Sequence, residues 1–221
     1  MVGIGASLAV LSPRATRARA ATVRHMRLAS RLAAQTDRRV FLRVDWNGLK
    51  ALLAARGDAA VPRVSYLDGV IELTAPSKTH ESRSWLIGRL LEVWGDENDV
   101  LLEGLKSWTL KNEGKEAGAE PDECWVVGDR PHATKPDLAL EVVQSHGGLD
   151  KLEVYRRLGV KEVWFWIDGE LTVHVLRGKS YLRSTRSTLF RRLDLKLLSR
   201  FVRHQSPARA RMLYRAALRR S

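Results

Sequence analysis

The chain has 221 residues, of which 44% are hydrophobic and 29% charged, a balance typical of a soluble globular domain with one well-filled core. Its single cysteine, Cys124, excludes an intrachain disulfide and a cysteine zinc cluster, and no apolar run approaches the roughly 20 residues of a membrane span. We therefore expect no membrane partner and a reducing compartment, the cytoplasm.

The net charge of +13 is concentrated at the two ends of the chain. Residues 1–36 contain six arginines and no acid, and residues 177–221 contain fourteen Lys or Arg and one acid, which leaves residues 37–176 with a net charge of −6. The basic ends are either solvated extensions or segments that attract phosphate backbones. The acids of the middle part would need a metal before they could approach a phosphate.

The composition predicts three parts. Residues 1–36 resemble a transit peptide or untranslated sequence ahead of a true start at Met26, and we expect them to be poorly ordered or a loose helix. Residues 37–203 are expected to form a single domain. Residues 204–221 form a basic C-terminal tail for which the sequence indicates no partner surface.

Organised sequence begins near Phe41. Asp45 is the expected N-cap of a helix that stops at Gly57. An Asp-Gly pair inside the apolar residues 64–74 predicts a β-hairpin. A helix from 79 or 80 to about 95 follows, with one apolar stripe that faces a core.

The rest of the chain alternates strands and helices. The run 163–167 is apolar on both faces, which is typical of a central strand in a covered sheet. Strands are predicted at 100–110, 124–127, 138–143, 161–167, 170–176 and 180–183, and helices at 149–158 and 193–202. This order predicts an α/β (α+β) fold with a mixed central sheet flanked by helices, preceded by a helix and a β-hairpin.

Carboxylates occupy unusual positions on the middle strands. Asp122 and Asp137 each open a short apolar run, and Glu141 lies inside the second run, where a carboxylate is costly unless it is paired or binds a metal. Strand alternation puts Asp137 and Glu141 on the same face. Two or three such oxygen ligands suit Mg²⁺ or Mn²⁺, because they leave positions open for water and phosphate.

A metal site for phosphate chemistry also needs a nearby cation. The usual position for a lysine, two residues after the second acid, holds Val143. Lys151, in the first turn of the next helix, is the expected replacement, because a tight loop could bring it back over the sheet. Tyr155 lies four residues further on and shares its helix face.

In combination, these motifs resemble the Uma-two family, a branch of the PD-(D/E)XK restriction-endonuclease-like superfamily. The similar stretches are YLDGVIEL, APSKTH, EPD, KPDLALEVVQS, DKLEVYRRLGVKEVWFW and LDLKLLSRF, within residues 44–202. The resemblance implies a restriction-endonuclease-type mixed sheet and metal-dependent cleavage of nucleic acid. It implies that Asp122 and Glu141 hold the metal and that Lys151 is the lysine displaced onto the helix.

Three further residues match the family pattern. Asp137 matches the acid of the second Pro-Asp pair, as a third ligand or as a residue that structures the strand start. His80 matches the histidine after the Pro-Ser segment. Glu81 is the nearest candidate for an acid that the first helix often supplies, although its helical phase points it away from the sheet.

We therefore predict a Mg²⁺- or Mn²⁺-dependent endonuclease that acts on DNA rather than RNA. One alternative is a nucleic-acid-binding module with a degraded metal site, which Val143 favours. Another is a protein-interaction module on the same fold. Exposed apolar residues on the hairpins would allow a homodimer.

Overall fold

The computed structural model describes residues 36–106, 108–144 and 147–220. The predicted N-terminal extension, including Met26, lies outside these residues except for Thr36. In the described part of the chain, no helix combines the length and apolar character that a membrane crossing requires.

The first sheet is antiparallel and carries the predicted hairpin. Between its first two strands in sequence, helix α1 begins after Asp45, whose side chain accepts a hydrogen bond from Gly48 N at 2.8 Å, and ends at Gly57, where φ is 58°. Both predicted ends of this helix are confirmed. In spatial order the strands are β1 (Arg38–Arg43), β3 (Val70–Ala75), β2 (Arg63–Leu67), β6 (Ala117–Ala119) and β5 (Leu110–Asn112), and α1 spans Trp46–Arg56.

The second sheet has six strands and is mixed. In spatial order they are β11 (Ser180–Ser184), β10 (Glu170–Arg177), β9 (Glu162–Ile167), β8 (Leu138–Val143), β7 (Glu123–Val127) and β4 (Leu102–Leu105). Strands β8 and β9 run parallel and are joined by helix α3 (Lys151–Leu158), whereas the other pairs are antiparallel. The predicted mixed sheet and the central position of residues 163–167 are confirmed.

The two faces of β8 contact different layers, as the alternation predicts. Leu138, Leu140 and Val142 belong to the largest apolar cluster, and Ala139 lies in a second cluster on the side of α3. The largest cluster is covered by three helices: α2 (Lys78–Glu97), α4 (Leu195–Val202) and α5 (Pro207–Leu218). Glu141, between these apolar residues, shares the α3 face.

Some predicted elements differ from the structure. The strand expected over 100–110 is shorter: β4 ends at Leu105 and pairs with β7, and β5, which begins at Leu110, pairs with β6 in the other sheet. Strands β1 and β6 were not predicted as strands. The segment after Pro207 does have a partner surface: it forms α5, which buries Ala210 and Tyr214 against α2 and α4.

Candidate active site

A cavity of about 300 Å³ opens between the two sheets, beside the start of α3. Four of the sequence-predicted residues line it: His80, Asp122, Glu141 and Lys151. Charged residues that the sequence did not single out also line it, namely Asp37, Arg39, Arg63, Glu72, Glu120 and Asp150.

Asp122 lies just before β7, beside the part of β8 that carries Glu141. Its backbone N donates to Leu140 O at 3.1 Å, and Val142 N donates to its side chain, so Asp122 contacts both chain neighbours of Glu141. Both carboxylates line the cavity, and the charge of Asp122 raises the pKa of Glu141. The two predicted metal-binding acids are therefore brought together.

Asp122 is held by two cations and one backbone amide. His80 Nε2 lies 2.7 Å from its Oδ2, Arg63 Nη1 donates to its Oδ1 at 2.8 Å, and Val142 N donates to Oδ2 at 2.6 Å. Burial alone would raise the pKa of Asp122, but His80 and Arg63 outweigh it and lower that pKa. Asp122 is thus kept as a carboxylate.

His80 lies in the first turn of α2 and is shared between two carboxylates. Its backbone N donates to the N-cap Ser77, and its Nδ1 lies 2.8 Å from Asp37 Oδ2. Burial would lower the pKa of His80, but hydrogen bonds to Asp122 and Asp37 raise it to about 10. His80 is therefore an imidazolium that fixes Asp122 in place.

Two side chains of α3 donate hydrogen bonds to Glu141. Lys151 Nζ donates to its Oε1 at 3.1 Å and to its Oε2 at 3.3 Å, and the hydroxyl of Tyr155 donates to Oε1. Burial raises the pKa of Glu141 and the charge of Asp122 adds to it, although Lys151 lowers it. Helix α3 thus places a lysine against Glu141, as expected for Lys151.

Two predicted residues lie outside this group. Glu81 does not pair with Asp122. Its side chain, which is 44% exposed, pairs with Arg63 Nη2 at 2.9 Å, and Arg63 in turn pairs with Asp122. Asp137 lies four residues before Glu141, roughly 13 Å along β8. It accepts from Val127 N at 2.9 Å and pairs with Lys161 at 2.8 Å and with Arg130, so its contacts lie at the strand start and not beside Asp122.

Two buried carboxylates were missed by the sequence reasoning. Glu72 in β3 is a carboxylate inside an apolar strand, which is the same signal that singled out Glu141. Glu120 directly precedes the first Pro-Asp pair; it accepts from Val64 N at 3.0 Å and from both terminal nitrogens of Arg56. Nothing in its local sequence marks it as part of a cavity.

The buried acids of the cavity are balanced by cations, which the net charge of residues 37–176 does not reveal. Five buried acids face five cations, because His80 is shared by Asp37 and Asp122, and Asp122 also has Arg63. The pairs are Asp37 with His80, Glu72 with Arg39, Glu120 with Arg56, Asp122 with His80 and Arg63, and Glu141 with Lys151.

Asp122 and Glu141 fit a divalent metal by donor type. Across the described ranges, no group of three or more His, Cys, Asp or Glu side chains is arranged to hold a metal. Mg²⁺, however, is usually bound through one or two carboxylates, with water and substrate phosphate completing its shell. Asp122 Oδ1 and Glu141 Oε2 each accept one hydrogen bond, which leaves each a lone pair for such an ion.

Comparison with known proteins gives one family. The family model described as "Uma2: Putative restriction endonuclease" matches residues 49–203. A solved structure described as a putative nuclease belonging to DUF820, from Anabaena variabilis ATCC 29413, aligns with a TM-score of 0.41 and 14% identity. That alignment covers 69% of this chain and 92% of the other. No curated protein matches the chain.

Proposed function

The chain belongs to the Uma2 family, and on that premise we propose that it is a metal-dependent nuclease that hydrolyses phosphodiester bonds in DNA. One observation carries the proposal: Asp122 and Glu141 line the same cavity, Asp122 is hydrogen-bonded to both chain neighbours of Glu141, and Lys151 Nζ lies 3.1 Å from Glu141 Oε1. Two carboxylates and a lysine at one point of a sheet are the groups that this chemistry needs.

In this proposal, Asp122 and Glu141 hold Mg²⁺ or Mn²⁺, which supplies Lewis acidity and lowers the pKa of bound water. His80 and Arg63 keep Asp122 ionised and fix its orientation. Tyr155 fixes Glu141 Oε1, and Lys151 moves its ammonium from Glu141 toward the phosphate as negative charge develops there.

The choice of DNA rests on the family description, and the charge of the chain supports a nucleic-acid substrate in general. Residues 177–221 carry fourteen Lys or Arg against one acid, and most of these side chains are exposed. Such a segment attracts a phosphate backbone without reading sequence. The proposal also includes a cytoplasmic location and allows a homodimer through exposed apolar residues such as Phe41 and Leu182, which are 47% and 57% exposed.

The test uses the full chain with supercoiled plasmid, linear duplex and single-stranded RNA, each with Mg²⁺, Mn²⁺ or EDTA. We expect cleavage of DNA that requires the metal and is lost in Glu141→Ala with the fold retained. Cleavage by this variant at the parent rate would overturn the site, and cleavage of RNA alone would overturn the substrate.

A second candidate is a nucleic-acid-binding module without catalysis. It is favoured by the intramolecular cations on both acids, since His80, Arg63 and Lys151 already neutralise Asp122 and Glu141. Calorimetry separates the two candidates: a binding module takes up no Mn²⁺ that depends on Glu141, whereas the nuclease does.

A further inference from the structure

Glu72 is a buried carboxylate that contacts the loop leading into α3 as well as Arg39 and Thr74 of its own sheet. It is 2% exposed, in the middle of β3. Its Oε2 accepts a hydrogen bond from Leu149 N at 2.8 Å, and its Oε1 lies 3.4 Å from Arg39 Nε. A carboxylate from the first sheet therefore holds the backbone of a loop that belongs to the second.

The loop packs closely against this carboxylate at Gly148. A Cβ atom added to Gly148 would lie 3.1 Å from both Glu72 oxygens and 3.1 Å from Arg39 Nη1, so only glycine fits here without a shift. Leu149 follows with its bond to Glu72, and Asp150 then caps α3 by accepting from Glu153 N at 3.1 Å. Lys151 is the next residue, two positions after the anchored amide.

The hydrogen bond between Glu72 and Leu149, here called the anchor, fixes the loop that precedes Lys151. A lysine at position 143 would be fixed by the same strand as Glu141, whereas Lys151 is joined to that strand only through a loop with two glycines. The main-chain hydrogen bond from Leu149 to Glu72 supplies a fixed point just before the helix. We propose that Glu72 is a positioning residue that sets Lys151 against Glu141; its catalytic meaning rests on the proposed nuclease function.

The first experiment compares Glu72→Ala with Glu72→Gln and needs no nuclease activity. The glutamine keeps an oxygen that can accept from Leu149 N, and the alanine does not. We expect hydrogen exchange in the peptide around Leu149 to accelerate about tenfold in Glu72→Ala and to stay near the parent rate in Glu72→Gln. Acetylation of Lys151, quantified against the 61% exposed Lys161, should rise in the same order.

The second experiment disturbs the same contact from the loop side and leaves Glu72 in place. Gly148→Ala puts a methyl group against the Glu72 carboxylate, whereas its matched control Gly114→Ala meets only Asn112 Oδ1 at 3.8 Å. Both glycines are exposed, so neither variant threatens the core. Gly148→Ala should raise the acetylation of Lys151 several-fold, and Gly114→Ala should leave it unchanged.

These outcomes separate the anchor from the nuclease proposal. If the parent cuts no nucleic acid but the exchange and acetylation results hold, the anchor stands and the nuclease function falls. Unchanged acetylation of Lys151 in folded Glu72→Ala, or in Gly148→Ala if the former does not fold, would overturn the anchor. A tenfold loss of Mn²⁺ affinity in Glu72→Gln would overturn it too, because that variant would then have lost a ligand.

Discussion

Lys151 Nζ lies 3.1 Å from Glu141 Oε1, although the two residues are ten positions apart and belong to a helix and a strand. The same carboxylate is expected to bind a metal, so the ammonium and the ion share one set of oxygen atoms. Two predictions concern this arrangement, and two concern contacts elsewhere in the fold.

Removal of the Glu141 carboxylate should abolish metal-dependent DNA cleavage, by at least about 100-fold, because a ligand and the partner of Lys151 are lost together. Plasmid nicking at fixed Mn²⁺ concentration measures this in Glu141→Ala. The control is Asp137→Asn, which alters a buried acid that directly precedes β8, four residues before Glu141. It should lower stability and keep the cleavage rate per folded molecule; equal losses in both variants would contradict the assignment.

Replacement of Lys151 by methionine should have opposite effects on cleavage and on metal binding. The variant removes the cation that competes for Glu141, so Mn²⁺ should bind several-fold more tightly in calorimetry while cleavage falls. Lys161→Met, which removes a lysine paired with Asp137, should change neither quantity. Weaker Mn²⁺ binding by Lys151→Met would show that the lysine supports the metal site instead of competing with it.

Alkaline pH should remove the advantage that the Tyr66 hydroxyl gives to the first sheet. This fully buried phenol donates to Glu116 Oε2 at 2.6 Å, and burial together with that bond raises its pKa to about 12. A raised pKa means that the folded state favours the protonated phenol. The contribution of the Tyr66 hydroxyl to the free energy of unfolding is therefore complete below pH 10 and is lost between about pH 10 and 12.

Urea unfolding of the parent and Tyr66→Phe tests this sign. The parent should be more stable by about 1 kcal/mol at pH 8, and the difference should shrink above pH 10. A difference that stays constant to pH 11.5 would mean that the hydroxyl does not titrate as the contact requires.

Helix α5 should contribute to the stability of the domain. Tyr214 is fully buried and packs on Phe201 with ring centroids 5.4 Å apart, so Tyr214→Ala should lower the free energy of unfolding by about 3 kcal/mol. Met212→Ala, on the same helix but 74% exposed, should change it by less than about 0.5 kcal/mol in the same denaturant titration. Equal effects of the two variants would contradict the packing.

The sequence predicts those parts of the site that depend on neighbours along the chain. Alternation in residues 137–144 puts Glu141 on one face of the strand, and the missing lysine at Val143 directs attention to Lys151, which the structure places against Glu141. Asp122 is predicted as a partner of Glu141 by resemblance to a family, and its hydrogen bonds to Leu140 and Val142 bring the two together.

The remainder depends on contacts between distant segments. The strand expected over 100–110 ends at Leu105, and the next strand begins at Leu110 in the other sheet. The two strands have different partners, and nothing in a local pattern reports partners. The cations of the site are equally remote: Arg63 lies 59 positions from Asp122, with which it pairs. Glu72 is different, since a carboxylate inside an apolar strand was a readable signal, and so was the spacing of Ala210 and Tyr214 in α5.

The parallel pair β8 and β9 has a consequence for how such sites are found in sequences. The helix that joins these two strands leaves the end of β8 and returns over one face of the sheet, here the face that bears Glu141. The topology therefore offers two places, strand and helix, from which a lysine can reach the same carboxylate. A motif search that demands a lysine at position 143 would pass over this chain.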